Sequence, residues 1–533
     1  IDLAIGQLGE YQQKDGIPQI FLYSQLLLAL ARDKAEYGTT GTPRKFWCVW
    51  KESELDAPVR ELLNGGRRLS TPDDLLSFPF EACAAEFRAI LAQGRAVYEQ
   101  DRALYALCRP ARLLDLIFKF IVFDNGEKKI ARYQQYFTVQ DILGRVRSAA
   151  PDSPRPGGVV WHTQGSGKSL TMVMLAKCLA LAYQDDPAMQ NPRIVLVTDR
   201  IDLDDQIYGT FRACGLAPEQ ANSGSDLVEL LLENKTHIVS TTIQKFAAAG
   251  ANRRMRMADR NTFVLVDEGH RTNYSDQHTR MKLALKGACF IAFTGTPLAR
   301  SAKKNTFVKF GDLFKPPYTI ARAVDDKAVV PLLYEARHVP QPVEQEAVDS
   351  WFEKLTLGLS ADQQADLKRK FSSERQLNKA AQKVRMIAWD ISLHYVMTYQ
   401  GTGMKGQLVA PDKATALLYK RFLDEFGKVS SEILISPPSV REGDEDSNAG
   451  PTPEEKIFWQ GMMDRYGSEK KYNKQSINAF KHTDAPEIIV VVDKLITGFD
   501  APCNTVLYLA RKLKDHTLLQ AIARVNRLFE GKD

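Results

Sequence analysis

The feature that most constrains the fold is a repeated alternation of short β-branched runs with longer amphipathic stretches. Strands of a parallel sheet are buried on both faces and need helical crossovers, so this alternation predicts an α/β fold with two parallel sheets. The runs of the first sheet are VVWHT (159–163), RIVLVTD (193–199), HIVSTTI (237–243), FVLVDE (263–268) and FIAFTG (290–295). Those of the second are GQLVAPD (406–412), EILIS (432–436), EIIVVVD (487–493) and TVLYLA (505–510).

The same pattern predicts the domain boundaries. A chain of 533 residues favours roughly three or four domains. Residues 1–110 lack the alternation and are predicted to be α+β. We predict a linker at 111–158, a first lobe at 159–310, and a second lobe at 311–533 with a helical insertion at 341–400.

Composition excludes several classes of protein. Hydrophobic residues make up 44% and charged residues 26%, which argues against a disordered chain. The seven cysteines contain no C-x-x-C pair, which argues against a disulfide framework or zinc module and favours the cytoplasm. No apolar run reaches the roughly 18–20 residues of a membrane span. A formal net charge of +6 is too small to predict nucleic-acid binding by itself.

The strongest local signal for chemistry is HTQGSGKS, residues 162–169, between the strand GVVW and an apolar helix. A glycine-rich turn at this place lets backbone N–H groups and a helix N-terminus face an anion. Gly165 and Gly167 would shape this phosphate loop, Lys168 would reach the β and γ phosphates, and Ser169 would hold Mg²⁺. The alternative is a Gly/Ser-rich turn with a surface lysine.

A second signal, FVLVDEGH at 263–270, is a strand that ends in two adjacent carboxylates. Hydrolysis of a nucleotide needs one group that helps to hold Mg²⁺ and another that orients the attacking water. Asp267 and Glu268 would fill these roles in that order, at the strand end where ligands of open α/β sheets bind. An isolated Asp-Glu pair is more often a solvated turn, but its position after a phosphate loop favours the functional interpretation.

Three further stretches complete the set: FTGTP (293–297), VDKLITGFDAP (492–502) and QAIARVNR (520–527). On a helix, Gln520, Arg524 and Arg527 would share one face because they are spaced i, i+4 and i+7. Two arginines on one face are usually a solvated stripe. With a nucleotide site on the preceding lobe, we interpret them as arginine fingers that stabilise charge on the γ-phosphoryl group.

In this order and spacing, the five stretches resemble motifs I, II, III, V and VI of superfamily 2 helicases and translocases. Residues 198–206 and 406–422 resemble motifs Ia and IV of that superfamily. The motor and restriction (R) subunit of type I restriction–modification enzymes has stretches that are similar to WHTQGSGKS, DEGHR, FTGTPL and VVVDKLITGFDAP of this sequence. The resemblance covers about residues 130 to 533.

This resemblance implies two RecA-like parallel-sheet lobes, preceded by an α+β remnant of a restriction-endonuclease-like domain. It implies an ATP-dependent translocase on double-stranded DNA and an endonuclease subunit, with ATP and Mg²⁺ bound between the lobes. The implied partners are methyltransferase (modification) and specificity subunits, and the implied location is the cytoplasm. In motif V, Gly498 and Asp500 would contact the nucleotide.

Two upstream segments also resemble this family. In KKIARYQQYFTVQDIL (128–143), Gln135 would read the adenine edge and Arg132 would support it; the alternative is a surface helix. In AIGQLGEYQQ (4–13), Gln7 and Tyr11 match the Q-x-x-x-Y element of the family's nuclease. The catalytic Asp and Glu-x-Lys would precede Ile1, so we expect a fragment whose nuclease centre lies outside the chain.

Two other Glu-x-Lys matches occur in the sequence. Glu127 to Lys129 and Glu469 to Lys471 are predicted to lie in helices or loops and are interpreted as coincidental.

Two alternative functions stay open. A DNA repair or RNA helicase would share most of the motifs. A nucleotide-binding regulatory protein that does not translocate would share the phosphate loop, but the two arginines of motif VI argue against it.

Overall fold

The structure of the protein is a computed structural model. It describes residues 1–64, 81–86, 89, 94–150, 153–199, 201–232, 237–249, 259–268, 275–297, 306–337, 352, 354, 356–360, 362–364, 380–440, 442, 451–496, 499, 501–513, 515–529 and 531–532. The chain divides into two compact units, Ile1–Ala328 and Val329–Asp533.

The N-terminal part of the first unit is mainly helical, with two small antiparallel hairpins. Its helices are α1 (Asp2–Tyr11), α2 (Pro18–Phe21), α3 (Asp56–Asn64), α4 (Glu99–Cys108), α5 (Pro110–Lys119) and α6 (Tyr133–Arg147). Its hairpins pair β1 (Leu27–Leu30) with β2 (Ala35–Gly38), and β3 (Ile121–Asp124) with β4 (Glu127–Ile130). Helical and strand elements are thus mixed in the described part of 1–110, while the predicted linker at 111–158 contains most of α5, the β3–β4 hairpin and α6.

A six-stranded sheet forms the centre of the first unit. Its strands are β5 (Gly158–Trp161), β6 (Arg193–Thr198), β7 (Glu219–Gln220), β8 (Ile238–Thr242), β9 (Thr262–Asp267) and β10 (Cys289–Thr294). Their order is β5-β10-β9-β6-β8-β7, and every pair is parallel. The sequence predicted five of these strands and missed the two-residue β7.

Helices lie between the strands of this sheet and after its last strand. They are α7 (Lys168–Leu181), α8 (Ile201–Ala213), α9 (Gly224–Leu232), α10 (Phe246–Ala249), α11 (Ser275–Ala284), α12 (Thr306–Phe310) and α13 (Ile320–Asp325). On one face, Val195, Val264 and Ala292 of the strands pack against Leu227 and Met281 of α9 and α11. This burial of both faces is why the strand runs are continuously apolar.

The second unit contains a four-stranded parallel sheet, which confirms the prediction of two such sheets. Its strands are β11 (Lys405–Val409), β12 (Ser431–Leu434), β13 (Ile488–Val491) and β14 (Asn504–Leu509), in the order β12-β13-β11-β14. Its helices are α14 (Ala381–Thr398), α15 (Lys413–Phe426), α16 (Pro453–Tyr466), α17 (Glu469–His482) and α18 (Asp515–Val525). Of the predicted helical insertion, α14 is described, and most of the rest lies outside the described residues.

The first unit continues past residue 310, where the sequence placed the boundary between the lobes. Phe314 N donates to Val159 O at 2.8 Å, and Tyr318 N donates to Trp161 O at 2.7 Å. These bonds attach the segment to β5, which is the edge strand of the first sheet. A boundary based on strand pattern alone could not include a segment that follows the sheet edge by isolated bridges.

The Glu127 to Lys129 match was expected in a helix or loop, and this was wrong because it lies on strand β4. Asn125 and Gly126, at φ 52° and 84°, form the turn between β3 and β4. Asn-Gly is the preferred pair for a two-residue hairpin turn, because both positions need positive φ. The sequence therefore carried a hairpin signal at this point.

No described helix combines the length and the apolar character that crossing a bilayer requires.

Candidate active site

The phosphate loop connects β5 to α7 and turns twice through the left-handed region. Gly165 and Gly167 have φ of 83° and 87°, a conformation that glycine adopts without steric cost. Ser166 Oγ donates to Thr163 O at 2.6 Å and closes the turn. Helix α7 then begins at Lys168, so its unpaired N–H groups and positive dipole end face the loop. N–H groups arranged in this way are suited to an anion.

Gln135, predicted to read adenine, braces the loop from α6. Its Nε2 donates to Gly167 O at 3.1 Å, and its Oε1 accepts from Arg132 N at 2.9 Å. A Cβ on Gly167 would lie 2.8 Å from Gln135 Nε2. Helix α6 is not the surface helix of the alternative interpretation, because residues such as Gln134, Val139 and Ile142 are fully buried.

Glu268 lies against the phosphate loop directly after β9. Its Oε1 accepts from Lys168 Nζ at 3.1 Å and from Gln164 Nε2 at 2.9 Å. The Glu268 side chain is 8% exposed and that of Lys168 is 11% exposed. The backbone of Glu268 has a φ of 52°, a sparsely populated region for a non-glycine residue that often marks functional sites.

Ser169 and Asp267 are the predicted metal-holding residues. Ser169 lies in the first turn of α7, and Asp267 is the last residue of β9, where Phe293 is its neighbour on β10. Both are partly exposed. A hydroxyl and a carboxylate suit Mg²⁺, which prefers oxygen ligands and takes the others from water and phosphate. Among the described residues, no group of three or more His, Cys, Asp or Glu is placed to hold a metal ion.

The FTGTP stretch forms a tight turn after β10, beside the phosphate loop. Thr294 O accepts from His162 N at 3.1 Å, and Thr294 Oγ1 accepts from Thr296 N at 3.1 Å. Trp161 Nε1 donates to Gly295 O at 3.1 Å. These bonds connect the ends of β5 and β10.

His162, which replaces the first glycine of the phosphate-loop pattern, is fully buried behind the loop. Its Nε2 is 3.1 Å from Thr138 Oγ1, and its ring meets Tyr318 edge-on. Burial and the positive charge of Lys168 lower the pKa of His162 to about 3. The imidazole is therefore neutral at physiological pH and acts as a polar spacer between α6 and the loop.

Of the motif VI arginines in the second unit, Arg524 lies in the last turn of α18, whereas Arg527 follows the end of this helix at Val525. The expectation that both lie on one helix face was therefore wrong. Arg524 is 5% exposed; its Nε donates to Ile496 O at 3.4 Å and its Nη1 donates to Phe499 O. Burial lowers the pKa of Arg527 to about 10. Arg524 thus fixes the backbone of motif V, a role that the sequence did not predict. Gly498 and Asp500 lie outside the described residues.

The predicted nuclease residues Gln7 and Tyr11 fall on one face of α1, where Gln7 Nε2 donates to Tyr11 OH at 2.6 Å. The nuclease assignment of this region stays a prediction.

Sequence reasoning gave no role to Gln164, although it lies within the phosphate-loop motif. Its contact with Glu268 spans 104 residues of sequence. No local spacing rule predicts such a bond. The one available signal was its position between the end of β5 and the loop, at the edge of the sheet where β9 also ends.

Comparison with known proteins gives two family matches. The model described as SWI2/SNF2 ATPase matches residues 134–365. The model described as Type I restriction enzyme subunit R domain 3 matches residues 455–533. The first match contains the stretches compared with motifs I, II and III, and the second contains those compared with motifs V and VI.

Curated relatives extend this likeness over 97% of the chain. The HindI type I restriction enzyme endonuclease subunit of Haemophilus influenzae is 29% identical, and 47% of its length is covered. The MjaIXP type I restriction enzyme endonuclease subunit of Methanocaldococcus jannaschii is 28% identical, and 46% is covered. The chain therefore spans about half the length of these relatives.

Among solved structures, the ATP-dependent Type ISP restriction-modification enzyme LlaBIII bound to DNA is similar at a TM-score of 0.47 and 15% identity. The similarity covers 76% of this chain and 27% of that one.

Proposed function

Because the chain is related along nearly its whole length to endonuclease (R) subunits of type I restriction enzymes, we propose that it is the motor part of such a subunit. In this proposal it hydrolyses ATP to move along double-stranded DNA. The contact of Lys168 with Glu268 beside the N-terminus of α7 carries the proposal. It brings a phosphate-binding cation and a candidate base together at one helix end.

Binding of ATP follows from the charge of the phosphate loop. The backbone N–H groups at the start of α7 and the ammonium of Lys168 attract the β and γ phosphates. Gln135 keeps the loop in place from behind, because its side-chain amide holds both Gly167 O and Arg132 N. We propose that Gln135 and Arg132 also border the adenine.

Hydrolysis needs a group that orients water and accepts its proton. Glu268 fits this role because its carboxylate is buried beside the phosphate loop. Ser169 and Asp267 would hold Mg²⁺. When bound, the ion supplies positive charge that stabilises the phosphate oxygens. Gly498 and Asp500 are proposed to complete the nucleotide contacts.

Arg524 and Arg527 are proposed to stabilise negative charge on the γ-phosphoryl group during turnover. Arginine in this role is worth about 10³ to 10⁵ in rate. Since Arg524 also donates to the carbonyls of Ile496 and Phe499, its finger role would require part of the guanidinium to remain available.

DNA contacts are proposed to go to phosphates, which requires no base-specific side chains. Modification methyltransferase and specificity subunits are the proposed partners, since the relatives are named as subunits of type I restriction enzymes. Cleavage is assigned to a nuclease that includes Gln7 and Tyr11. Because ATP and chromosomal DNA meet in the cytoplasm, we propose that location.

The experiment is a comparison of ATP turnover with linear duplex DNA, single-stranded DNA and RNA, each with and without the methyltransferase partner. We expect duplex DNA to stimulate turnover most. Preferential stimulation by single-stranded DNA or RNA would support a helicase of the same superfamily instead. Nucleotide binding without turnover under every condition would support a regulatory protein.

A further inference from the structure

Gln164 is the side chain of the phosphate loop that contacts both Glu268 and the turn after β10. It is 7% exposed, and its Nε2 donates to Glu268 Oε1 at 2.9 Å. Its Cγ would lie 3.2 Å from a Cβ placed on Gly295. The aliphatic part of Gln164 therefore packs on Gly295 while its amide reaches the carboxylate.

The carboxylate of Glu268 needs such support. Its backbone is in the left-handed region at φ 52°, and strained backbone persists only where the surroundings fix it. Its Oε1 accepts from the ammonium of Lys168 and from the amide of Gln164. These donors differ in charge, and the charge decides whether each donor moves toward the phosphates when a nucleotide binds.

Lys168 cannot stay with Glu268 if it serves the nucleotide. A triphosphate carries more negative charge than one carboxylate, so it draws the ammonium toward itself. The amide of Gln164 is neutral, and the side chain is held by its packing on Gly295. The phosphates therefore attract it less, and it stays at Glu268.

We propose that Gln164 is a positioning residue that keeps the Glu268 carboxylate oriented after Lys168 moves to the phosphates. This inference rests on the proposed ATP hydrolysis and deepens it. Gln164 touches neither the water nor the phosphate; it acts through Glu268. Through Gly295 it also links the orientation of Glu268 to the turn after β10.

The test is Gln164→Met in the full-length protein, because methionine keeps the length and the packing on Gly295 but has no N–H donor. We expect kcat for ATP to fall about ten- to a hundredfold, the usual range for one hydrogen bond to a charged group. The nucleotide dissociation constant should change less than about threefold, since the phosphate donors remain.

Gln460→Met is the matched control. Gln460 Nε2 also donates to a carboxylate at 2.9 Å, that of Asp464, on the exposed face of α16. It should leave kcat and affinity unchanged.

Two results would overturn the inference: unchanged kcat in Gln164→Met, or an equal loss of nucleotide affinity and turnover, which would place Gln164 on the phosphates. Absence of ATP turnover in the unsubstituted protein would instead overturn the proposed function, and the inference would fall with it. The two failures are distinguishable because the second is seen without any substitution.

Discussion

Glu268 combines features that rarely coincide in one residue: a left-handed backbone, a buried carboxylate and bonds to two side chains of the phosphate loop. Its neighbour Asp267 is partly exposed and ends the strand. Adjacent carboxylates in such different surroundings can serve different roles. This separation supports assigning the base to Glu268 and the metal to Asp267.

We predict that Glu268→Gln binds ATP but does not hydrolyse it. The amide keeps the shape and can still accept from Lys168, but it is a poor proton acceptor. Loss of a general base typically lowers turnover by about 10² to 10⁴. Equilibrium binding of a fluorescent ATP analogue and single-turnover phosphate release measure the two properties. Loss of nucleotide binding in this variant would remove Glu268 from the role of base.

His162 predicts a pH dependence of stability. Burial lowers its pKa to about 3 in the folded state, from 6.5 in the unfolded chain. The unfolded chain therefore binds more protons between these two values, so folded-state stability falls as pH drops below about 6.5. The slope for one proton is at most about 1.4 kcal/mol per pH unit.

Thermal unfolding midpoints between pH 7 and pH 5 measure this effect. The midpoint should fall less steeply with acid in His162→Gln than in the unsubstituted protein. His278, whose pKa is also lowered to about 3 by burial, keeps part of the slope in both. The exposed His482 offers the control, since His482→Gln should leave the slope unchanged. Identical slopes for the protein and His162→Gln would contradict the neutral, buried assignment.

Arg524 and Arg527 should differ when replaced by Ala. Both replacements should lower ATP turnover far more than ATP affinity, by about 10³ or more if the residues meet the γ-phosphoryl group. Arg524→Ala should in addition lower the unfolding midpoint, because the carbonyls of Ile496 and Phe499 lose their donor. Turnover and thermal unfolding of both variants measure this. Unchanged turnover in both variants would contradict the role of arginine finger and would leave the arginines with a structural role.

At the scale of elements, the phosphate loop depends on backbone conformation more than on side chains. We predict that Gly167→Ala loses most nucleotide affinity, because φ is 87° and the new Cβ would lie 2.8 Å from Gln135 Nε2. Isothermal titration with ATP measures the loss.

Gly427→Ala provides the comparison for this prediction. Gly427 ends α15 at φ 61°, and the atom nearest to an added Cβ is 4.0 Å away. Its replacement should cost about 1 kcal/mol of stability and leave affinity unchanged. Equal affinity in Gly167→Ala and the unsubstituted protein would contradict the role assigned to the loop.

Elements were predictable from sequence where burial on two faces imposes a pattern. Strand β9 (Thr262–Asp267), whose sequence is TFVLVD, has an apolar run that ends at the first carboxylate, and the second, Glu268, follows the strand. The bond from Gln164 to Glu268 and those from Arg524 to motif V were not predictable, because they join residues distant in sequence through side-chain geometry. The continuation of the first unit to Ala328 was missed for a similar reason, since isolated bridges carry no periodic signal.

At the scale of the whole molecule, the weak net charge of +6 gives no evidence for or against DNA binding. A translocase contacts phosphates along one track, and local charge matters more than the total. The chain covers about half of its curated relatives. The proposed motion on DNA should therefore be tested with the proposed modification and specificity subunits present.

ATP hydrolysis is proposed to drive movement of the protein along duplex DNA. The most direct measurement is the rate of ATP turnover with linear duplexes of increasing length at a fixed molar concentration. The Lys168→Ala variant is the inactive control. We predict that turnover rises with duplex length, because a longer duplex allows more steps before the motor reaches an end. We also predict that the Lys168→Ala variant is inactive. Turnover that is independent of duplex length, or a Lys168→Ala variant as active as the unsubstituted protein, would contradict this proposal.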